Sequence, residues 1–185
     1  MLNFDNNPKV KKIYDEIWVY ENFLTEEECV SLENIANSLT EPEWNEANSP
    51  LDWYNGKVSK AIPELLEINT RVSELVAPGY IATRNSSFHR MFPGDSMHEH
   101  EDTCGEDGEA TSNDDFNTCA ITKYGAVAYF TDKFEGGELY YPALGLRIKP
   151  KSGDLLIHGA LIRHGVAEVT SGIRYAYSTF LTEKN

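Results

Sequence analysis

Along this 185-residue chain the spacing of apolar and polar positions changes period after its first third. Residues 13–20, around Ile17-Trp18-Val19-Tyr20, are dense in β-branched and aromatic side chains and predict a first strand. Thr25 opens a predicted helix, because Glu28 stands at capping-box spacing and Glu26 and Glu27 suit the positive end of the helix dipole. Leu32, Ile35 and Ala36 give that helix one apolar face. Residues 41–60 mix Pro, Asn and Gly with Trp44, Trp53 and Tyr54, and predict a long loop pinned by its aromatics. A second helix is predicted over 61–76, with Pro63 in its first turn and Leu65, Leu66, Ile68, Val72, Leu75 and Val76 on its core side.

Beyond Pro78-Gly79 the pattern becomes that of strands, at 80–92, 120–131, 137–141, 146–148, 154–158 and 174–181. Gly136-Gly137, residues 150–153 and Ser171-Gly172 punctuate them. Helices first and short strands afterwards predict an α+β, mainly β chain whose C-terminal two-thirds is a double sheet, a jelly roll. The length suits one domain, with residues 1–78 as helical support and 79–185 as the core. Residues 99–115 are crowded with acidic side chains among Gly, Ser, Thr and Asn, and predict a surface loop.

A hydrophobic fraction of 41% excludes a disordered chain. Sixteen basic against thirty acidic side chains leave a net charge of −14, which disfavours nucleic acid and anionic membrane as partners. Cys29, Cys104 and Cys119 form no CxxC pair and are odd in number, so reduced thiols are expected. With no positive n-region and no apolar run near the roughly 20 residues that cross a bilayer, a soluble, cytoplasmic protein is expected.

Three residue types suggest chemistry. His98, His100 and Asp102 alternate, and on an extended segment they share one face. His164, after the apolar run 154–157, is the candidate for a further ligand from a distant segment. Two imidazoles and one carboxylate on one face form the donor set of non-haem Fe(II) centres with open positions. A His98/His100 pair with His164 would instead suit zinc or another metal, and both sets satisfy the alternation. Ten residues after His164 stands Arg174, whose guanidinium can hold a carboxylate through two parallel charge-assisted bonds. His158 is expected as a core group or a support behind the ligands, and His89 has no assigned role.

With these pieces in order, the chain resembles the Fe(II)- and 2-oxoglutarate-dependent dioxygenases, in particular their prolyl 4-hydroxylase-like branch. The resemblance is carried by Phe92-Pro93-Gly94, with the glycine six residues before His100, and by His100-Glu101-Asp102. It continues through Ala128-Tyr129-Phe130-Thr131-Asp132, Gly136-Gly137-Glu138-Leu139 and Pro150-Lys151-Ser152-Gly153-Asp154. His164-Gly165-Val166 and Gly172-Ile173-Arg174-Tyr175 close it. It implies a double-stranded β-helix core flanked by N-terminal helices. It also implies that His100, Asp102 and His164 bind Fe(II), that Arg174 holds the distal carboxylate of 2-oxoglutarate, and that Tyr129 assists.

The implied activity is hydroxylation of a peptidyl residue, proline favoured, consuming O2 and giving succinate and CO2, with ascorbate as a helper. Met91 and Met97 depart from the tyrosines the branch commonly carries there. A small-molecule hydroxylase of the same family and a non-catalytic, cupin-like metal-binding module are the alternatives. Arg174 discriminates the last, since a bare metal site has no need of it. The acidic stretch after Asp102 is expected to act as a lid or to attract a positively charged substrate.

Overall fold

The computed structural model describes residues 7–41, 43–44, 52–55, 62–76, 79–82, 86–102 and 122–183, with 52–55 and 76 given by backbone alone. Its first element is a hairpin of β1 (Val10–Tyr14) and β2 (Ile17–Tyr20). The single strand predicted over 13–20 is thus broken at a turn where Glu16 takes a left-handed φ of 55°. Helix α1 (Glu26–Ser38) begins as its capping box dictates. The Thr25 hydroxyl accepts from the Glu28 N–H at 3.2 Å, and the Glu28 carboxylate accepts from the Thr25 N–H at 2.7 Å. Within the predicted 41–60 loop lies an edge strand, β3 (Asp52–Asn55), and then comes α2 (Pro63–Val76).

The strands that follow are β4 (Tyr80–Ala82), β5 (Ser87–Met91), β6 (Met97–His100), β7 (Thr122–Tyr129) and β8 (Phe134–Gly136). After them come β9 (Leu139–Tyr141), β10 (Leu146–Ile148), β11 (Leu155–Gly159), β12 (His164–Val166), β13 (Val169–Gly172) and β14 (Arg174–Glu183). The predicted 80–92 strand is two strands, which pair with different stretches of β14. The major sheet runs β1-β2-β11-β7-β14-β5-β3, with β4 also on β14; the minor sheet runs β10-β9-β12-β6. A small β13-β8 pair completes this mainly antiparallel jelly roll.

Strand alternation gives the major sheet two different faces. On the outer face Trp18, Phe88, Ala126, Ala128, Leu155, Ile157, Tyr175 and Tyr177 form one core with Cys29 and Leu32 of α1 and Leu65, Ile68 and Val72 of α2. Two phenol donors tie the helices down: Tyr175 to Asn37 Oδ1 at 3.0 Å and Tyr177 to Asn69 Oδ1 at 2.9 Å. The inner face supplies Ile17, Val19, Met91, Tyr129, Leu156 and Ala176, which pack with Leu139, Tyr141 and Val166 of the minor sheet. The candidate site lies along this second core, between the sheets.

Trp44 shows how aromatics pin a stretch of poor periodicity. It is buried, and its ring stacks on Phe88 at 5.6 Å and on Tyr175 at 6.4 Å. Cys29 is a buried free thiol, while Cys104, Cys119, the acidic stretch past Asp102 and most of 41–60 lie outside the described residues. No helix among the described residues is long and apolar enough to cross a membrane.

Candidate functional site

The minor sheet brings two histidines face to face. His164 on β12 pairs across the ladder with His100 on β6. Asp102 lies two residues beyond the end of β6, in a bend anchored by its N–H donating to the Ala160 carbonyl at 2.9 Å. Its Oδ1 is 3.7 Å from His100 Nε2 and 3.8 Å from His164 Nε2. These separations are too long for hydrogen bonds and short enough for all three atoms to contact one ion at about 2.0–2.2 Å. Each residue offers one donor atom, and the three donors lie within 4.8 Å of one another.

Both imidazoles are oriented from behind. His100 Nδ1 meets the His98 carbonyl at 2.9 Å and His164 Nδ1 meets the Ile162 carbonyl at 2.8 Å. A carbonyl can only accept, so the proton sits on Nδ1 and each Nε2 keeps its lone pair free for a cation. His98 is exposed and outside the cluster, supplying only that carbonyl. The β6–β12 register shifts between His164 and Val166, where β6 runs through His98.

The electrostatics suit a cation. Burial, reinforced by His158 and His100, lowers the His164 pKa to about 3 despite the opposing pull of Asp102, so its ring is neutral near pH 7. Burial works against ionising Asp102, but the hydrogen bond from His158, with the neighbouring His164 and His100 rings, outweighs it and holds the carboxyl below its ordinary range. The Asp102 and His164 side chains are buried, whereas the His100 side chain is 38% exposed, which leaves the cluster open on one side.

Behind Asp102 stands His158, on the inner face of β11. Its Nε2 is 3.0 Å from Asp102 Oδ2 and its Nδ1 is 3.0 Å from the Tyr141 hydroxyl. Gly125, paired with His158 across β7 and β11, leaves the room for this contact, since a Cβ there would collide with both Asp102 Oδ2 and His158 Nε2. Tyr141 and Gly125 escape a reading of the sequence alone. The one signal is an isolated glycine inside a strand, which marks a close approach.

Arg174, at the start of β14, is 3% exposed. Its Nε donates to the Gly137 carbonyl at 3.1 Å, its Nη2 to the Tyr129 hydroxyl at 3.2 Å, and its Nη1 to Met91 Sδ at 3.5 Å. Gly137, with φ of 64°, fits against it where a Cβ would come within 2.9 Å of Arg174 Cδ and of the Phe134 ring. Among the described residues no carboxylate lies within ion-pair distance of this guanidinium. His89, opposite Ala176 on the same inner surface, meets Ser178 Oγ at 2.6 Å. Burial, then Arg174 and His100, lower its pKa to about 3. Met91 and Tyr129, which accept from Arg174, share one core with Tyr141 and Val166 beside the histidine cluster.

No protein-family model matches the chain. A protein of Acanthamoeba polyphaga mimivirus, assigned by name to the prolyl 4-hydroxylases, is 22% identical over 92% of this chain and 76% of its own length. The viral collagen prolyl hydroxylase of Paramecium bursaria Chlorella virus-1, solved as its 2-oxoglutarate complex, is 19% identical over 94% of this chain and 100% of its own, with a TM-score of 0.61. An oxidoreductase of the 2-oxoglutarate–Fe(II) oxygenase family from Burkholderia pseudomallei is 15% identical over 92% of this chain and 86% of its own, with a TM-score of 0.67. The chain has the jelly-roll fold of these oxygenases and resembles their prolyl 4-hydroxylase-like branch.

Proposed function

We propose that this protein is an Fe(II)- and 2-oxoglutarate-dependent dioxygenase that hydroxylates a peptidyl residue, with proline as the favoured target. The observation that carries this reading is Arg174: a buried guanidinium with no anionic partner among the described residues, on the same interior as a three-donor cluster. Burying an unpaired charge is costly, so the position suits an anionic ligand. A dicarboxylate with one end at Arg174 and the other at the metal satisfies both.

The donor set fits the ion. Two imidazole lone pairs and one carboxylate oxygen match the preference of Fe(II) in oxygenases and leave positions open. His100, Asp102 and His164 would hold it. Bound there, iron supplies O2 activation coupled to oxidative decarboxylation of 2-oxoglutarate to succinate and CO2.

The chain's own residues supply binding and order. Arg174 donates to the distal carboxylate, and the Tyr129 hydroxyl, which already accepts from Arg174, keeps its own O–H to donate there. Met91, Leu139 and Val166 line the interior with apolar surface that excludes water. The carbonyls of His98 and Ile162 keep the two Nδ1 protons away from the metal. Similarity to proteins named as prolyl hydroxylases, one of them a collagen prolyl hydroxylase, favours a peptidyl proline as the target.

The test is incubation with Fe(II), 2-oxoglutarate and ascorbate against proline-rich peptides, other peptides and free amino acids. Succinate release with a gain of one oxygen on a peptide proline is the expected result. Oxygen gain on free amino acids alone moves the assignment to a small-molecule hydroxylase. Neither succinate nor calorimetric binding of 2-oxoglutarate removes the enzyme assignment in favour of a metal-binding module.

A further inference from the structure

We infer that His158 is a positioning residue for the metal site: it holds one oxygen of Asp102 so that the other faces His100 and His164. The inference rests on the proposed role of His100, Asp102 and His164 as metal-binding residues.

The two oxygens of Asp102 have different surroundings. Oδ1 looks toward both imidazole Nε2 atoms, and Oδ2 is 3.0 Å from His158 Nε2. A carboxylate near an imidazole nitrogen at this distance requires a proton between them, so His158 carries its hydrogen on Nε2. The other end of the ring agrees. His158 Nδ1 is 3.0 Å from the Tyr141 hydroxyl, and a phenol, protonated near neutral pH, can donate to that lone pair. The opposite tautomer would set two acceptors against each other at Asp102. Tyr141, His158 and Asp102 therefore form one directed chain of donors ending at the carboxylate.

The chain of contacts is built into the fold. His158 is 1% exposed on a central strand, and its ring centroid lies 4.1 Å from that of His164. It thus braces one imidazole by contact while restraining the carboxylate by a hydrogen bond. Gly125 keeps the space open, because any side chain there would occupy the position of Asp102 Oδ2. Fixing both rotatable bonds of Asp102 in advance lowers the ordering needed when a cation binds. Asp102 stands beyond the end of β6, so strand geometry alone does not aim it.

The experiment titrates metal-free full-length protein with Co(II) under argon, without cosubstrate, reading affinity by chelator competition and coordination by the visible spectrum. His158→Phe removes the donor and should weaken Co(II) binding by roughly 10- to 100-fold, with a shifted spectrum. His158→Gln, which keeps an N–H, should recover most of the affinity. Tyr141→Phe leaves the imidazole in place, should weaken binding several-fold, and carries the test if His158→Phe does not fold. Wild-type affinity and spectrum in folded His158→Phe, or in Tyr141→Phe where His158→Phe does not fold, with Co(II) binding lost in Asp102→Ala, overturn the inference and leave the proposed function standing. Wild-type Co(II) binding in Asp102→Ala overturns both.

Discussion

His100 and His164 face each other across the β6–β12 ladder with ring centroids 4.5 Å apart, and each aims Nδ1 at the carbonyl two residues before it. The two rings solve the same problem in the same way. A main-chain acceptor takes the proton, and the remaining lone pair turns toward Asp102.

Metal retention should therefore depend on Asp102 and not on His98. Asp102→Ala removes the sole anionic donor of the cluster and should abolish Fe(II) retention after gel filtration. His98→Ala keeps the carbonyl that accepts from His100 and should retain metal close to one equivalent. Metal analysis of both variants decides it, and the reverse outcome would move the ligand set to His98.

Arg174 should govern cosubstrate affinity without governing metal content. Arg174→Ala removes charge-assisted bonds worth about 1.5–3 kcal/mol each, so the KM for 2-oxoglutarate should rise roughly 10- to 100-fold or more. Tyr129→Phe loses one neutral donor, about 1 kcal/mol, and should raise KM several-fold. Succinate release at graded 2-oxoglutarate concentrations, with iron content measured in parallel, separates this from a loss of metal.

Ligands that bind only the folded state should stabilise it by mass action. Mn(II) and 2-oxoglutarate, supplied at about 100 times the dissociation constant of the site, should add about 2.7 kcal/mol. For a chain of this length that is a rise in Tm of roughly 5–10 °C. A melting curve unmoved by the pair would show that no preformed site exists.

Acid should destabilise the metal-free protein through His89. Burial, aided by Arg174 and His100, lowers its pKa from 6.5 to about 3. Between those values the unfolded chain binds a proton that the folded chain refuses, so the stabilisation is complete above about pH 6.5 and declines as pH falls. The loss at pH 5 is about 2 kcal/mol from this residue. Urea unfolding at pH 7.5 and pH 5 should show a shallower dependence in His89→Gln, with the remainder coming from His164, whose pKa is lowered in the same direction. An identical dependence in wild type and variant would remove His89 from the explanation.

Features held by neighbours in sequence were legible. The Thr25/Glu28 box starts α1 because both of its hydrogen bonds span three residues. The strand runs around 122–129, 155–159 and 174–183 were visible because their apolar, β-branched and aromatic residues persist long enough to show. The hairpin turn at Glu16 and the short strands β8, β12 and β13 were not, since three or four residues carry little period of their own. β3 was hidden for a different reason: it is a strand by pairing with β5, amid residues with weak strand patterning.

By itself the sequence determined the kinds of atoms available: imidazoles at 100 and 164, a carboxylate at 102 and a guanidinium at 174. Only the tertiary structure decided which of them meet. The pairing of β6 with β12 sets His100 opposite His164 while His98 stays outside the cluster, and a contact between residues 56 apart in the chain sets His158 behind Asp102. Local backbone preference fixes where a side chain begins, but convergence on one point depends on how separate strands are aligned, and that alignment is a property of the packed sheets.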